Sequence, residues 1–193
     1  DWKEMLKISV DLNGSDEVYM AVMKAIVGVH RFQSMIDLCC NLAPHTRRLG
    51  FKERTYVDIL PRDLGEEQSR FVLADVLGDH PVLSRHYDVA ICSDGIEHVT
   101  QEQGEQLLAR MKAISDRQVL FTPLDPWMMA PDDPNPESHK SIWTPEILPD
   151  YAHITFPVYH PTLNIGAFFF WSCADLDQDF ERVRKLLESN PLF

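Results

Sequence analysis

Carboxylates and imidazoles recur in this chain at the ends of short apolar runs, where they could bind or activate a ligand. Ser34-Met35-Ile36 leads into Asp37, and then into Leu38-Cys39-Cys40-Asn41-Leu42-Ala43-Pro44-His45-Thr46, with small residues spaced at Cys39, Asn41 and Ala43. Later runs end at Asp58-Ile59, at Ala74-Asp75-Val76, at Ser93-Asp94 and at Pro123-Leu124-Asp125, and Glu97-His98 follows the fourth. Carboxylates so placed accept hydrogen bonds, one from ribose hydroxyls and another from an adenine amino group. A single Asp at a strand end commonly just begins a loop or caps a helix. The ordered set points instead to a ligand that contains a nucleoside. His98 and His139 are the candidate catalytic bases, because imidazole titrates near neutral pH. Glu97, with Trp127 and Trp143 beside Met128 and Met129, forms the candidate substrate wall. The aromatic residues would equally serve to pack a loop onto the domain.

The elements that must hold these groups follow from periodicity. Ser15-Asp16-Glu17 starts a helix with apolar positions at Val18, Val22, Ala25, Ile26 and Val29, the spacing of a face laid on a sheet. Phe32 to Leu38, Thr55 to Ile59, Arg70 to Asp75, Tyr87 to Cys92 and Gln118 to Thr122 read as strands, and Thr100 to Ile114 as a helix with Leu107, Leu108, Met111 and Ile114 inward. Strands alternating with helices, and nearly continuous apolar strands, predict a mostly parallel sheet covered on both sides. Ligands of such sheets sit at the carboxyl ends of the strands, where strand order reverses. His153 to Tyr159 and Ile165 to Cys173 predict an antiparallel terminal hairpin, and Asp175 to Leu187 a closing helix with a capping Asp. Asp125 to Ser141 carries Pro126, Pro131, Pro134 and Pro136, and so long a loop commonly covers a site. The expected organisation is a single domain over 1–193, with an N-terminal helical cap region at 1–30 and a lid or substrate loop at 125–150.

Composition narrows the partners. A net charge of −12, with 30 acidic against 18 basic residues, opposes a nucleic-acid surface, which needs clustered Lys and Arg. The basic groups Arg47-Arg48 and Arg182-Arg184-Lys185 read as solvated faces. Four cysteines without CxxC spacing argue against structural zinc and suit a reducing cytoplasm. No apolar run approaches the ~20 residues of a membrane span, and no signal peptide is evident. The chain begins at Asp1 without Met, as an excised domain or trimmed chain would.

The Asp37 to Thr46 segment resembles the first motif of class I S-adenosylmethionine-dependent methyltransferases, in which an acidic residue, three spaced glycines and a polar helix start follow the first strand. Asp58 matches that family's ribose ligand after strand two, and Ala74-Asp75-Val76 its adenine-contacting segment. Tyr87 to Val99 is similar to the fourth-strand block, which commonly closes in Glu-His, and His139 to Glu146 to a segment found before the terminal hairpin in many bacterial members. The resemblance covers roughly Val18 to Cys173 and rests on the order and spacing of the blocks. It implies a three-layer Rossmann-like α/β fold with a seven-stranded sheet of order 3-2-1-4-5-7-6 and an antiparallel terminal hairpin. That hairpin, and the lack of an intact GxGxxG, separate the chain from nucleotide-dependent dehydrogenases.

The resemblance implies S-adenosylmethionine as cofactor, held by Asp37, Cys39, Asn41, Ala43, Asp58, Ile59, Ala74, Asp75, Val76, Ser93 and Asp94. It implies methyl transfer to a small-molecule O or N acceptor. The missing glycines need a physical account. Asn41 tolerates a left-handed conformation, whereas Cys39 and Ala43 allow close approach if their φ values are ordinary. Pro44 would fit the first turn of a following helix. A non-catalytic domain that binds cofactor or a partner is the second reading. The third is a metal-dependent RNA 2′-O-methyltransferase, because Asp94, Glu97, His98 and His139 resemble that group's E-x-x-E-H plus distant His, with Asp for the first Glu. The charge balance opposes it, and no metal is expected on the leading reading.

Overall fold

In a computed structural model, which describes residues 16–28, 32–126, 129–156, 166–173 and 176–193, the apolar runs pair into one sheet. Its strands are β1 (Ser34–Leu38), β2 (Glu53–Asp58), β3 (Phe71–Leu73), β4 (Tyr87–Ser93), β5 (Ser115–Pro123), β6 (Ala152–Phe156) and β7 (Gly166–Ser172). Their order is β3-β2-β1-β4-β5-β7-β6. β1 to β5 run parallel, and β7 is antiparallel to both β5 and β6. The order and the hairpin are those expected. The hairpin turn and the capping Asp175 fall outside the described residues.

Among the described residues three α-helices make the outer layers: α1 (Asp16–Gly28), α2 (Gln101–Ile114) and α3 (Leu176–Glu188). Successive strand residues point to opposite faces, so Met35, Val89 and Ile91 join α1 and α3 in one core while Ile36, Leu38, Ala90 and Cys92 join α2 in the other. Thr100 and Gln103 form a reciprocal capping box that starts α2, which satisfies two otherwise orphaned N–H groups. Gly104 of α2 lets the Trp143 ring lie against the helix backbone, since a Cβ there would come within 2.1 Å of Trp143 Cζ2. On the opposite face the buried Arg117 of β5 ion-pairs with Asp179 of α3 and donates to Ile26 O of α1 at 3.1 Å, tying two helices to the sheet.

Helical cover is less complete than the alternating pattern predicts. The β1–β2, β2–β3 and β3–β4 connections hold only short 3-10 turns, Thr46–Arg48, Gly65–Arg70 and Pro81–Ser84. No helix follows the Cys39 to Ala43 loop, and Pro44 precedes a single 3-10 turn instead of opening an α-helix. Pro61, Gly65, Gly78 and Pro81 interrupt the later two connections, and Gly50 closes the first. Each is too short and too broken to lay an apolar stripe on the sheet. No helix among the described residues is long and apolar enough to cross a membrane.

Candidate functional site

The loop after β1 is the centre of the site. Cys39, Asn41 and Ala43 have φ values of 60°, 47° and 49°, and Asp94 after β4 has 49°. Ordinary φ values at Cys39 and Ala43 are therefore not what the chain adopts. All three spaced positions keep a glycine-like left-handed backbone, at a cost of about 1 kcal/mol for each non-glycine residue. Hydrogen bonds hold the shape: Cys40 N donates to Val57 O at 3.0 Å, Ala43 N to Cys40 O at 2.7 Å, and Asn41 N to Asp58 Oδ2 at 2.8 Å. Asp58 is thus stitched to the loop through its carboxylate. Its Oδ1 also accepts from Leu60 N at 2.8 Å and faces Arg62 Nε at 3.4 Å.

A glycine does sit at the loop, across the sheet from it. A Cβ on Gly95 would lie 2.7 Å from Cys39 Cβ and 2.8 Å from Cys92 Sγ. The space that a glycine at position 39 would have left open is provided at position 95 instead.

Two cavities flank Asn41 and Asp94. The larger, of about 400 Å³, is lined by Cys39, Asn41, Asp58, Ile59, Asp75, Val76, Asp94 and His98 among the expected residues. Arg62, Gln103, Glu137 and Lys140 also line it, and none of these was expected. Arg62 and Lys140 stand beside expected residues but in runs without periodicity, so only their proximity to Asp58 and His139 in the sequence could have suggested them. The smaller cavity, of about 90 Å³, is bordered by Asp37, Ala43, Ser93 and Asp94, together with His45 and Thr46. Ala74 lines neither cavity; its N–H donates to Asp58 O at 3.0 Å. Tyr19 of α1, also unexpected, shares a hydrogen bond between its hydroxyl and Ser93 Oγ and packs against His45 with the rings tilted by 35° and their centroids 4.2 Å apart.

Burial shapes the titration of the site. Asp37 is raised to about 7, first by burial and then by the charge of Asp58, against the hydrogen bond from Thr46 Oγ1. Burial, then the charge of Asp94, also pushes the Glu97 carboxyl well above the usual carboxylate range; its Oε2 accepts from Thr122 Oγ1 at 3.2 Å. His98 is lowered by burial and by neighbouring His139. Its Nδ1 is buried with no hydrogen-bond partner among the described residues.

His139 meets His98 ring to ring at 4.9 Å, in an edge-on arrangement. One ligand atom from each of Glu97, His98 and His139 falls within 4.8 Å of the others. The proline-rich loop lines the larger cavity through Pro136, Glu137 and Lys140, and Arg62 Nη2 meets Glu137 at 2.9 Å. Lys140 N donates to Glu97 O at 2.7 Å, and the Met129–His139 bridge holds the base of the loop. Trp143 lies away from both cavities: it is buried over Gly104, and its Nε1 donates to Ser141 Oγ at 2.9 Å. Trp127 and Met128 fall outside the described residues.

No model of a known protein family matches the sequence, and no characterised relative does. Solved structures do match. The N-methyltransferase NodS from Bradyrhizobium japonicum WM9, in complex with S-adenosyl-L-homocysteine, aligns with a TM-score of 0.64 at 11% identity over 86% of this chain and 90% of that one. The 1,6-didemethyltoxoflavin N1-methyltransferase of Burkholderia thailandensis aligns at 0.59 and 17% identity, over 83% and 80%. The methyltransferase domain of bacterial CtHen1 aligns at 0.55 and 13% identity, over 81% and 98%. The chain has the Rossmann-like fold of class I S-adenosylmethionine-dependent methyltransferases.

Proposed function

We propose that the chain is an S-adenosylmethionine-dependent methyltransferase acting on a small molecule through an oxygen or nitrogen. The observation that carries this reading is the loop: three non-glycine residues hold the left-handed backbone at the three spaced positions, beside a cavity of ligand size. Strain of this kind persists only where the surroundings over-determine it, and it clusters at binding sites. The residues present suit the cofactor. Asp58 retains acceptor capacity toward ribose hydroxyls, Asp75 and Val76 form the wall for the adenine, and the smaller cavity by Asp37 and Ser93 suits the amino-acid end. When bound, S-adenosylmethionine supplies an electrophilic methyl on a sulfonium.

This chain's own residues bind, orient and handle the proton. The neutral imidazole of His98, kept so by burial, can accept a proton from an acceptor O–H or N–H at the cavity, with His139 beside it. The lid, clasped by the Arg62–Glu137 pair, excludes water. Enclosure and the −12 charge favour a small acceptor over a polyanion. Reduced cysteines, all four free, suit a cytoplasmic setting.

Calorimetric titration with S-adenosylmethionine and S-adenosylhomocysteine tests the reading. Binding in the micromolar range is expected; no binding at millimolar ligand defeats it and leaves a partner-binding domain.

The convergence of Glu97, His98 and His139 favours a second reading, in which a divalent cation held there activates an acceptor hydroxyl. Asp94 stands outside this convergent group, and burial opposes the charged form of Glu97 that would bind the ion. Manganese titration monitored by paramagnetic resonance, with chelator-treated protein as reference, separates the two readings.

A further inference from the structure

We infer that Cys39 and Cys92 form an oxidisable thiol pair that controls the shape of the cofactor loop, a deduction resting on the cofactor site proposed above. In a strand continued past Leu38, residue 39 would face the α1 and α3 layer, since side chains alternate. The left-handed turn at Cys39 reverses this, and its side chain packs into the α2 core, to which Cys92 belongs. There Cys92 Sγ and Cys39 Sγ lie 2.8 and 3.4 Å from the point that a Cβ on Gly95 would occupy, so the two sulfurs converge on the same spot. Gly95 makes the meeting possible, because any Cβ would strike Cys39 Cβ at 2.7 Å and Cys92 Sγ at 2.8 Å.

The two cysteines also differ in access. Cys39 is half-buried and lines the large cavity, whereas Cys92 is fully buried. A hydroperoxide therefore reaches Cys39 first. Its thiol is oxidised to the sulfenic acid as the peroxide O–O bond breaks and is reduced, releasing water. The Cys92 sulfur then attacks the Cys39 sulfur; the S–S bond forms, the S–O bond breaks, and the thiol proton leaves with the hydroxyl as a second water. Cys40, although adjacent in sequence, belongs to the opposite core with α1 and is not the partner. Drawing the sulfurs into a bond of about 2.05 Å presses them on the Gly95 backbone. Gly95 and Cys39 both line the cavity, so its wall shifts and cofactor binding weakens.

The test is treatment of the purified protein with hydrogen peroxide, alkylation of remaining thiols, peptide mapping, and calorimetry with S-adenosylhomocysteine before and after dithiothreitol. A Cys39–Cys92 linked peptide is expected, with affinity lowered about tenfold or more and restored by reductant. Cys92→Ser and Cys92→Ala should each bind with unaltered affinity and become insensitive to peroxide in forming the link. A linkage through Cys40, no linkage at all, or a Cys39–Cys92 linkage that leaves affinity unchanged overturns the inference. Failure of the reduced protein to bind the ligand counts against the cofactor reading alone. The mapped linkage, together with a changed protease cleavage rate in residues 39–43, then decides whether the thiol pair reshapes the loop.

Discussion

The β3-β2-β1 half of the sheet and the β4-β5-β7-β6 half are built on different terms. The first is connected by short turns, carries Asp37 and Asp58, and holds three residues in left-handed strain. The second carries α2 and α3, a cluster of Phe121, Phe156, Phe168 and Phe170, and the buried Arg117–Asp179 pair. Aromatic burial of that kind supplies much of a core's stabilisation. Strain and buried acid are thus gathered where the connections are short, and a stiff, aromatic-packed half supports them. Asp94 marks the border, with left-handed φ at the end of a fully packed strand.

If the division holds, damage to the stiff half should cost stability and damage to the other should cost binding. Arg117→Met removes the buried ion-pair partner of Asp179 and leaves the carboxylate facing the exposed Arg182 at 3.5 Å. A loss of about 3–5 kcal/mol is expected, seen as a melting temperature lower by roughly 10 °C, with ligand affinity unchanged in the folded fraction. A fall in affinity matching the fall in stability would break the comparison.

Asp37→Asn should act in the opposite direction, and only at higher pH. The folded carboxyl titrates at about 7 against a reference of 3.8. Its contribution to stability is therefore fully present below the reference value and is lost as pH rises through about 7. The Asn variant should melt roughly 5 °C above the parent at pH 8 and level with it near pH 4. Equal melting temperatures at both pH values would mean that Asp37 is not held protonated.

Asp58→Ala removes the acceptor for Asn41 N and Leu60 N, and with it the acceptor proposed for the ribose. Affinity for S-adenosylhomocysteine should drop about 10–100-fold, with a smaller change in melting temperature. Unchanged affinity would place the nucleoside elsewhere. The smallest effect belongs to Ala43→Gly, which relieves left-handed strain at φ 49°. A gain of about 0.5–1 kcal/mol is expected in chemical denaturation.

The stiff half was also the more legible one. Continuous apolar runs at Tyr87 to Cys92 and Gln118 to Thr122 are strand signals that survive any context, and Thr100 with Gln103 is a local cap. In the other half the strands were legible but their connections were not, because Pro and Gly placement shortens a helix without removing all its periodic residues. Asp58 and Asp75 could be placed at the cavity from strand ends alone. The left-handed backbone of Cys39 and Ala43 could not, since the loop between them is tied through Cys40 and Asn41 to Val57 and Asp58, far away in sequence. Trp143 shows the converse: an aromatic in a loop reads as a ligand wall until a glycine on a distant helix gives it a berth.

The contact of Gly95 with Cys39 and Cys92 couples what the ends of two neighbouring strands tolerate. A side chain at position 39 fits only while position 95 has none. Exchanging Cys39 for glycine would not by itself open position 95, because Cys92 Sγ would still lie 2.8 Å from a Cβ there. The three positions therefore behave as one unit, and no one of them can be redesigned alone.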